Sequence, residues 1–203
     1  MKTCKLLREQ VAAATGSKKA ELVLKNAQIV NVFTQSVETG DIAIEGGYIV
    51  GIGNYEGITE KDLGGAYVCP GFLDGHIHIE SSMTSPGEFE RAVVPHGTIA
   101  VITDPHEIAN VAGTAGIRFM MQSAQKLDLD VYFMLPSCVP ATDLDESGAE
   151  LLARDLEPFY ADEKVLGLAE MMNAFGVTHG DKGCFEKLVQ ARSLKKAIDG
   201  HAP

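Results

Sequence analysis

Apolar and polar positions alternate through residues 21–32 (ELVLKNAQIVNV) and again through 40–53 (GDIAIEGGYIVGIG). A period of two sends successive side chains to opposite faces of a strand, so both stretches predict half-buried β-structure. Glu45-Gly46-Gly47-Tyr48 breaks the second stretch with two residues that accept positive φ, a hairpin signal. The pattern predicts a small antiparallel sheet of about four strands ending near Leu63. Ahead of it, Lys5–Ala14 reads as a short helix, and Thr15-Gly16-Ser17-Lys18-Lys19 as a linker.

From Ala66 the pattern changes. Short apolar runs at 66–79 (AYVCPGFLDGHIHI), 97–105 (GTIAVITDP), 130–137 (DVYFMLPS) and 164–173 (KVLGLAEMMN) read as strands. Between them lie stretches with helical character at 112–127, 145–161 and 182–197, and AIDGHAP at 197–203 looks like the start of a fifth strand. Apolar strands alternating with amphipathic helices predict a parallel sheet covered by helices. A closed barrel and an open doubly wound sheet both fit that order. No Gly-rich dinucleotide fingerprint follows the first strand, which weakens the open-sheet cofactor reading. The expected organisation is a helix and linker at 1–20, a β-subdomain at 21–65, and an α/β unit at 66–203.

Composition narrows the partners. The 203 residues carry 17 basic and 28 acidic side chains, a formal charge of −11. Without clustered Lys and Arg to neutralise phosphates, a nucleic-acid polymer is excluded as partner. No apolar run approaches the roughly 20 residues that span a bilayer, so no membrane partner is expected. Four widely spaced cysteines, Cys4, Cys69, Cys138 and Cys184, make no disulfide framework, and a reducing cytoplasm is the expected compartment. Neither Cys69 nor Cys138 has a base nearby in sequence, so nucleophilic thiol chemistry is a weak rival.

The candidate chemistry lies at the ends of the apolar strands. His76 and His78, in Asp74-Gly75-His76-Ile77-His78, sit two apart on a strand, about 7 Å, so both rings reach one face and one metal ion. Two histidines hydrogen-bonded in a turn would read the same way. Glu170 ends the strand of GLAEMMN, at the rim where α/β barrels hold their sites, and its two oxygens suit a bridge between metals. Alone it would read as a helix cap. His201 repeats the strand–Asp-Gly-His placement of His76. Asp104-Pro105-His106-Glu107 packs three titratable groups after the second strand, as an acid/base loop or as the cap of the next helix. Glu80, Ser81 and Ser82 follow the histidine pair, fit to bind substrate or to start a helix. His96, at the opposite end of its strand, and His179, in a Gly-rich loop, read as structural.

Taken together, PGFLDGHIHIESS after a small β-domain resembles the amidohydrolase superfamily, and DGHIHIESSM, TDPHEIANVAG, GLAEMMN and DGHAP resemble the adenine deaminase family within it. The resemblance runs from about Glu21 to the last residue. It implies a (β/α)8 barrel of the TIM type with a small N-terminal β-sandwich subdomain, and hydrolysis of the small molecule adenine to hypoxanthine and ammonia. It implies a binuclear Mn2+ or Fe2+ centre, with Zn2+ also found in the superfamily. His76 and His78 would hold one metal, Glu170 would bridge, and His201 would hold the second. Glu80, Asp104, His106 and Glu107 are the candidates for acid/base work, and Ser81 and Ser82 for substrate contact.

The stretch from Val68 is about half of the ~250 residues of a complete barrel. The expectation is therefore an N-terminal portion of such an enzyme, inactive alone, whose unpaired strand edges favour a homo-oligomer. The alternatives are another amidohydrolase, acting on a cyclic amide or an acetyl group, and a non-catalytic half-barrel that serves as an interaction module.

Overall fold

The computed structural model describes residues 3–142 and 144–201. They divide into two compact units, Met1–Pro70 and Gly71–Pro203. In the first, helix α1 (Cys4–Ala14) is capped by the Thr3 hydroxyl, which accepts from the Leu6 amide at 3.3 Å. Strands β1 (Ala20–Asn31), β2 (Ser36–Glu45), β3 (Tyr48–Gly53), β4 (Gly57–Asp62) and β5 (Tyr67–Val68) form one sheet in the order β3-β2-β1-β4, with β5 also on β1. The hairpin at Glu45–Tyr48 falls where the glycine pair placed it.

The sheet is mixed, not antiparallel throughout as the alternation suggested. β4 and β5 both run parallel to β1. Alternation fixes which side chains share a face; it carries no information about strand direction. Parity along the strands decides the packing. Val23 and Ala43 bury on one face with Ala13 of α1, while Leu24, Ile42 and Ile44 pack on the other with Leu63 and Val68.

A bulge at Asn26 (φ 56°) interrupts the β1 register, and Asp41 secures it. Asp41, 7% exposed, accepts from Lys25 Nζ (2.5 Å) and from the backbone amides of Asn26 (3.1 Å) and Tyr55 (3.3 Å). Burial works to raise its carboxyl, but these donors outweigh burial and hold it below the usual carboxylate range. The Lys18 ammonium bonded to Glu45 does the same there, against burial. A depressed folded value means stability present above the unfolded pKa and lost as pH falls through the folded one. The sheet is therefore expected to hold down to about pH 4 and to weaken progressively below it. Acid titration followed by hydrogen exchange checks this: Asp41→Asn should flatten the acid limb, and an unchanged limb would exclude the Asp41 contribution.

The second unit is a parallel sheet. Its strands are β6 (Phe72–Ile77), β7 (Thr98–Thr103), β8 (Asp130–Leu135), β9 (Val165–Met171) and β10 (Ala197–Gly200), hydrogen-bonded in the order β10-β9-β8-β7-β6. Chain order and spatial order coincide, and every neighbouring pair is parallel. A doubly wound sheet would reverse direction at a switch point; this one does not, so the barrel alternative holds.

The connections carry α2 (Pro86–Val93), α3 (His106–Ser123), α4 (Ala153–Leu156), α5 (Ala174–His179) and α6 (Lys182–Ser193). One core fills the space between strands and helices. Val131, Phe133 and Leu135 of β8 enter it with Ile117 and Met120 of α3, and Ile77 packs against it. Ile77 thus faces the helices, as expected from its place between two histidines.

Three local expectations change. The helix after β7 begins at His106, not near Ala112, so Asp104-Pro105-His106-Glu107 is a strand-to-helix junction and not an open loop. Pro105 at the cap position needs no amide partner there. The same helix breaks at Gly113 (φ 57°), and the Asn110 carbonyl accepts from the Gly148 amide at 2.8 Å instead. Helix over 145–161 shrinks to Ala153–Leu156 followed by a 3-10 turn, because Ser147 and Gly148 are drawn onto α3 and Pro158 cannot donate. His179 closes α5 and stacks on Phe175 at 3.9 Å, outside the loop assigned to it.

Candidate metal centre

His76 is the fifth residue of β6, and His78 lies one residue beyond the strand end. Their side chains leave the sheet on the face opposite Ile77. The two Nε2 atoms come within 3.1 Å, with the rings edge to face. Glu170, near the end of β9 two strands from β7, reaches the same point: Oε1 lies 3.2 Å from His78 Nε2 and 4.0 Å from His76 Nε2. Its other oxygen, Oε2, meets His201 Nδ1 at 2.6 Å. A single carboxylate therefore touches the histidines of β6 on one side and the histidine after β10 on the other. Burial pulls the Glu170 carboxyl up, but the His201 bond and the nearby imidazoles outweigh it and hold it below its usual range.

Around these four stands a second layer. Glu107 places Oε2 3.0 Å from His78 Nδ1 and accepts the Ser81 hydroxyl at Oε1 (3.0 Å). The Glu107 contact is an ion-pair approach without hydrogen-bond geometry, since His78 Nδ1 is buried with no hydrogen-bond partner. Asp199 lies 3.6 Å from His76 Nδ1 and occupies the equivalent position there. Glu80 accepts the Ile108 amide of α3 at 3.2 Å and keeps its other oxygen buried without a partner; burial raises its carboxyl. The Ser82 hydroxyl closes its own turn on the Ile79 carbonyl at 2.6 Å.

Asp104 and His106 form a buried pair, 1% and 3% exposed, at 2.9 Å. His106 Nε2 faces the Cys138 carbonyl at 2.6 Å, and a carbonyl only accepts, so that nitrogen carries a proton. The pair thus shares one further proton between Nδ1 and the carboxylate. Burial raises the Asp104 carboxyl; the bond to Asp104 raises the His106 imidazole against burial. Asp104 Oδ1 is buried and unpartnered, and one ligand atom each of Asp104, His106 and Glu170 falls within a 4.8 Å cluster.

The donor set fits a divalent cation. Ligand atoms of His76, His78 and Glu170 lie within 4.8 Å of one another. Imidazole and carboxylate without thiolate suit Mn2+, Fe2+ or Zn2+ alike. The site thus gathers His76, His78, Glu170 and His201, with Asp104, His106, Glu107 and Ser81 close by. His96 is exposed at the opposite end of β7. Sequence reasoning missed Asp199, Ser137 and Cys138. Asp199 precedes the DGHAP histidine and was legible as an acidic neighbour; the other two act through contacts far apart in sequence.

A parallel barrel sheet with histidines and a carboxylate converging at its C-terminal strand ends defines a metal-dependent hydrolase architecture. The family model of that class, the amidohydrolase family, matches residues 67–202, and the chain belongs to it. Within it, the chain is 54% identical over 97% of its length to an adenine deaminase of Bacillus pumilus, 54% over 98% to adenine deaminase 2 of Carboxydothermus hydrogenoformans, and 50% over 96% to the adenine deaminase of Bacillus subtilis. It spans about a third of the length of these relatives, 34–35%.

Solved structures agree on the fold. A dihydroorotase aligns with TM-score 0.55 at 17% identity, over 90% of this chain and 51% of that one. An atrazine chlorohydrolase of Arthrobacter aurescens, solved with zinc, aligns at 0.53 and 14%, over 78% and 51%. Family and donor set together imply a divalent metal. No helix among the described residues is long and apolar enough to cross a membrane.

Proposed function

We propose that this chain is the N-terminal part of an adenine deaminase, which hydrolyses adenine to hypoxanthine and ammonia. The observation that carries the reading is the Glu170 carboxylate touching His78 and His201 at 3.2 and 2.6 Å, in a chain half identical to adenine deaminases. In it His76 and His78 would hold one ion and His201 a second, with Glu170 offering an oxygen toward each side; the metal would be Mn2+ or Fe2+, with Zn2+ an admissible substitute. The chemistry a bound metal would supply there is the activation of water near neutral pH. The protein's own groups do the rest. Glu107 and Asp199 stand beside the far nitrogens of the two histidine rings, at 3.0 and 3.6 Å, where they would help to orient them. Asp104 and His106 hold a proton beside Glu170, in a water-poor position suited to passing it toward the leaving amine. Glu80, half-buried and raised by desolvation, is the second candidate donor, and Ser81 and Ser82 follow it in the chain.

The test replaces the first third of the Bacillus pumilus adenine deaminase with residues 1–203 of this chain. The Mn2+-loaded chimera is assayed for ammonia release from adenine, beside a dihydropyrimidine and an N-acetyl sugar. Turnover of adenine alone is expected. A folded chimera that opens the dihydropyrimidine or deacetylates the sugar, and ignores adenine, would move the reading to another amidohydrolase.

A further inference from the structure

Outside the site, the most unusual buried group is Lys187, in the middle of α6 and 7% exposed. Lysine seldom lies this deep without an acidic partner, and Lys187 has no carboxylate ion pair within 4.0 Å among the described residues. Its Nζ donates instead to the backbone carbonyl of Ser137 at 2.7 Å. Burial holds its ammonium below the ordinary lysine range, against the opposing influence of Cys138, Cys184, Glu150 and Asp181.

Ser137 and Cys138 follow β8 after Pro136 and link three elements. The Ser137 hydroxyl, on a residue 1% exposed, donates to the Glu170 carbonyl at 2.5 Å. The Cys138 carbonyl receives the His106 Nε2 proton at 2.6 Å. One two-residue segment therefore fixes the backbone that carries Glu170 and the ring that pairs with Asp104. An ammonium donor on the carbonyl between them adds a charge-assisted constraint on that segment, and a charge-assisted hydrogen bond is about twice as strong as a neutral one.

We infer that Lys187 is a positioning residue for the metal centre: through Ser137-Cys138 it sets the placement of the Glu170 carboxylate and the His106 imidazole. The inference rests on the reading of Glu170 as a ligand. Lys187 makes no hydrogen bond or ion pair to His76, His78, Glu170 or His201, and acts through the segment it holds. A cavity of about 580 Å³ borders Lys187, Ser137, Cys138 and Cys184, so an uncharged side chain of similar length is accommodated there without a clash.

The experiment uses the 203-residue chain with Mn2+ as probe. Lys187→Met removes the charge and keeps the length; Ser137→Ala removes only the link to Glu170. Each variant, checked for fold by circular dichroism, is expected to bind Mn2+ about tenfold more weakly, the scale of outer-shell changes at metal sites. The second readout needs no metal: a slowly exchanging low-field resonance of the His106 Nε2 proton is expected in the parent chain from its bond to the Cys138 carbonyl, and is expected to broaden or vanish in Lys187→Met. It should survive in Ser137→Ala, which leaves the Lys187 and Cys138 carbonyl bonds in place. Unchanged affinity and an unchanged His106 resonance in folded Lys187→Met would overturn the inference. If Lys187→Met does not fold, Ser137→Ala decides, and unchanged Mn2+ affinity there overturns it. A parent chain that binds no Mn2+ sinks the metal reading separately, and the His106 resonance still decides the role of Lys187.

Discussion

Glu170→Gln is expected to weaken Mn2+ binding by this chain by about 100-fold or more, beyond the 10–100-fold typical of outer-shell changes. Glutamine keeps the volume of glutamate, so β9 and its packing are preserved. What it loses is charge and one oxygen: the amide nitrogen carries two hydrogens and cannot ligate. Both oxygens are in use in the native site, Oε1 toward His78 and Oε2 toward His201, so either amide orientation faces one imidazole with the wrong group. Titration of Mn2+ followed by the resonance of the free ion measures the loss. An affinity within threefold of the parent would exclude Glu170 as a ligand and leave the imidazoles alone to hold the metal.

The second large effect concerns the scaffold. Phe133→Ala should destabilise the second unit by about 3–5 kcal/mol, the usual cost of deleting a buried aromatic ring. Phe133 is 2% exposed at the centre of β8, and its backbone pairs with strands on both sides. Its ring lies in the cluster shared by Ile117 and Met120 of α3 and Leu168 of β9. Two and three residues beyond its strand, Ser137 and Cys138 hold Glu170 and His106, so the same substitution should also loosen the site. Urea unfolding followed by hydrogen exchange of the β8 and β9 amides separates this unit from the first. A shift below about 1 kcal/mol would mean that the ring is not a structural centre, and that the cluster collapses readily around its loss.

Much of this was legible without coordinates. Alternation at 21–32 and 40–53 named the strands and the hairpin, and apolar runs from Ala66 named the parallel ones. The strand-end placement of His76, His78, Glu170 and His201 picked out side chains that the fold brings together. Local pattern failed where a distant group intervened. Helix over 145–152 gave way because Asn110, freed by the break at Gly113, captures Ser147 and Gly148. β4 and β5 turned parallel because strand direction depends on the path of the connection, which residue periodicity does not encode.

The sequence by itself determined that apolar strands alternate with helices from Ala66 onward, and that the candidate donors His76, His78, Glu170 and His201 lie at strand ends. Both follow from short-range facts: which residues share a face, and which end a strand. Only the tertiary structure decided how those donors are held. It put Glu170 between the histidines of β6 and the histidine beyond β10, Glu107 and Asp199 behind the rings, and Lys187 and Ser137 behind Glu170. These are contacts between residues tens of positions apart, set by the order of strands in the sheet and by which buried polar groups must find partners.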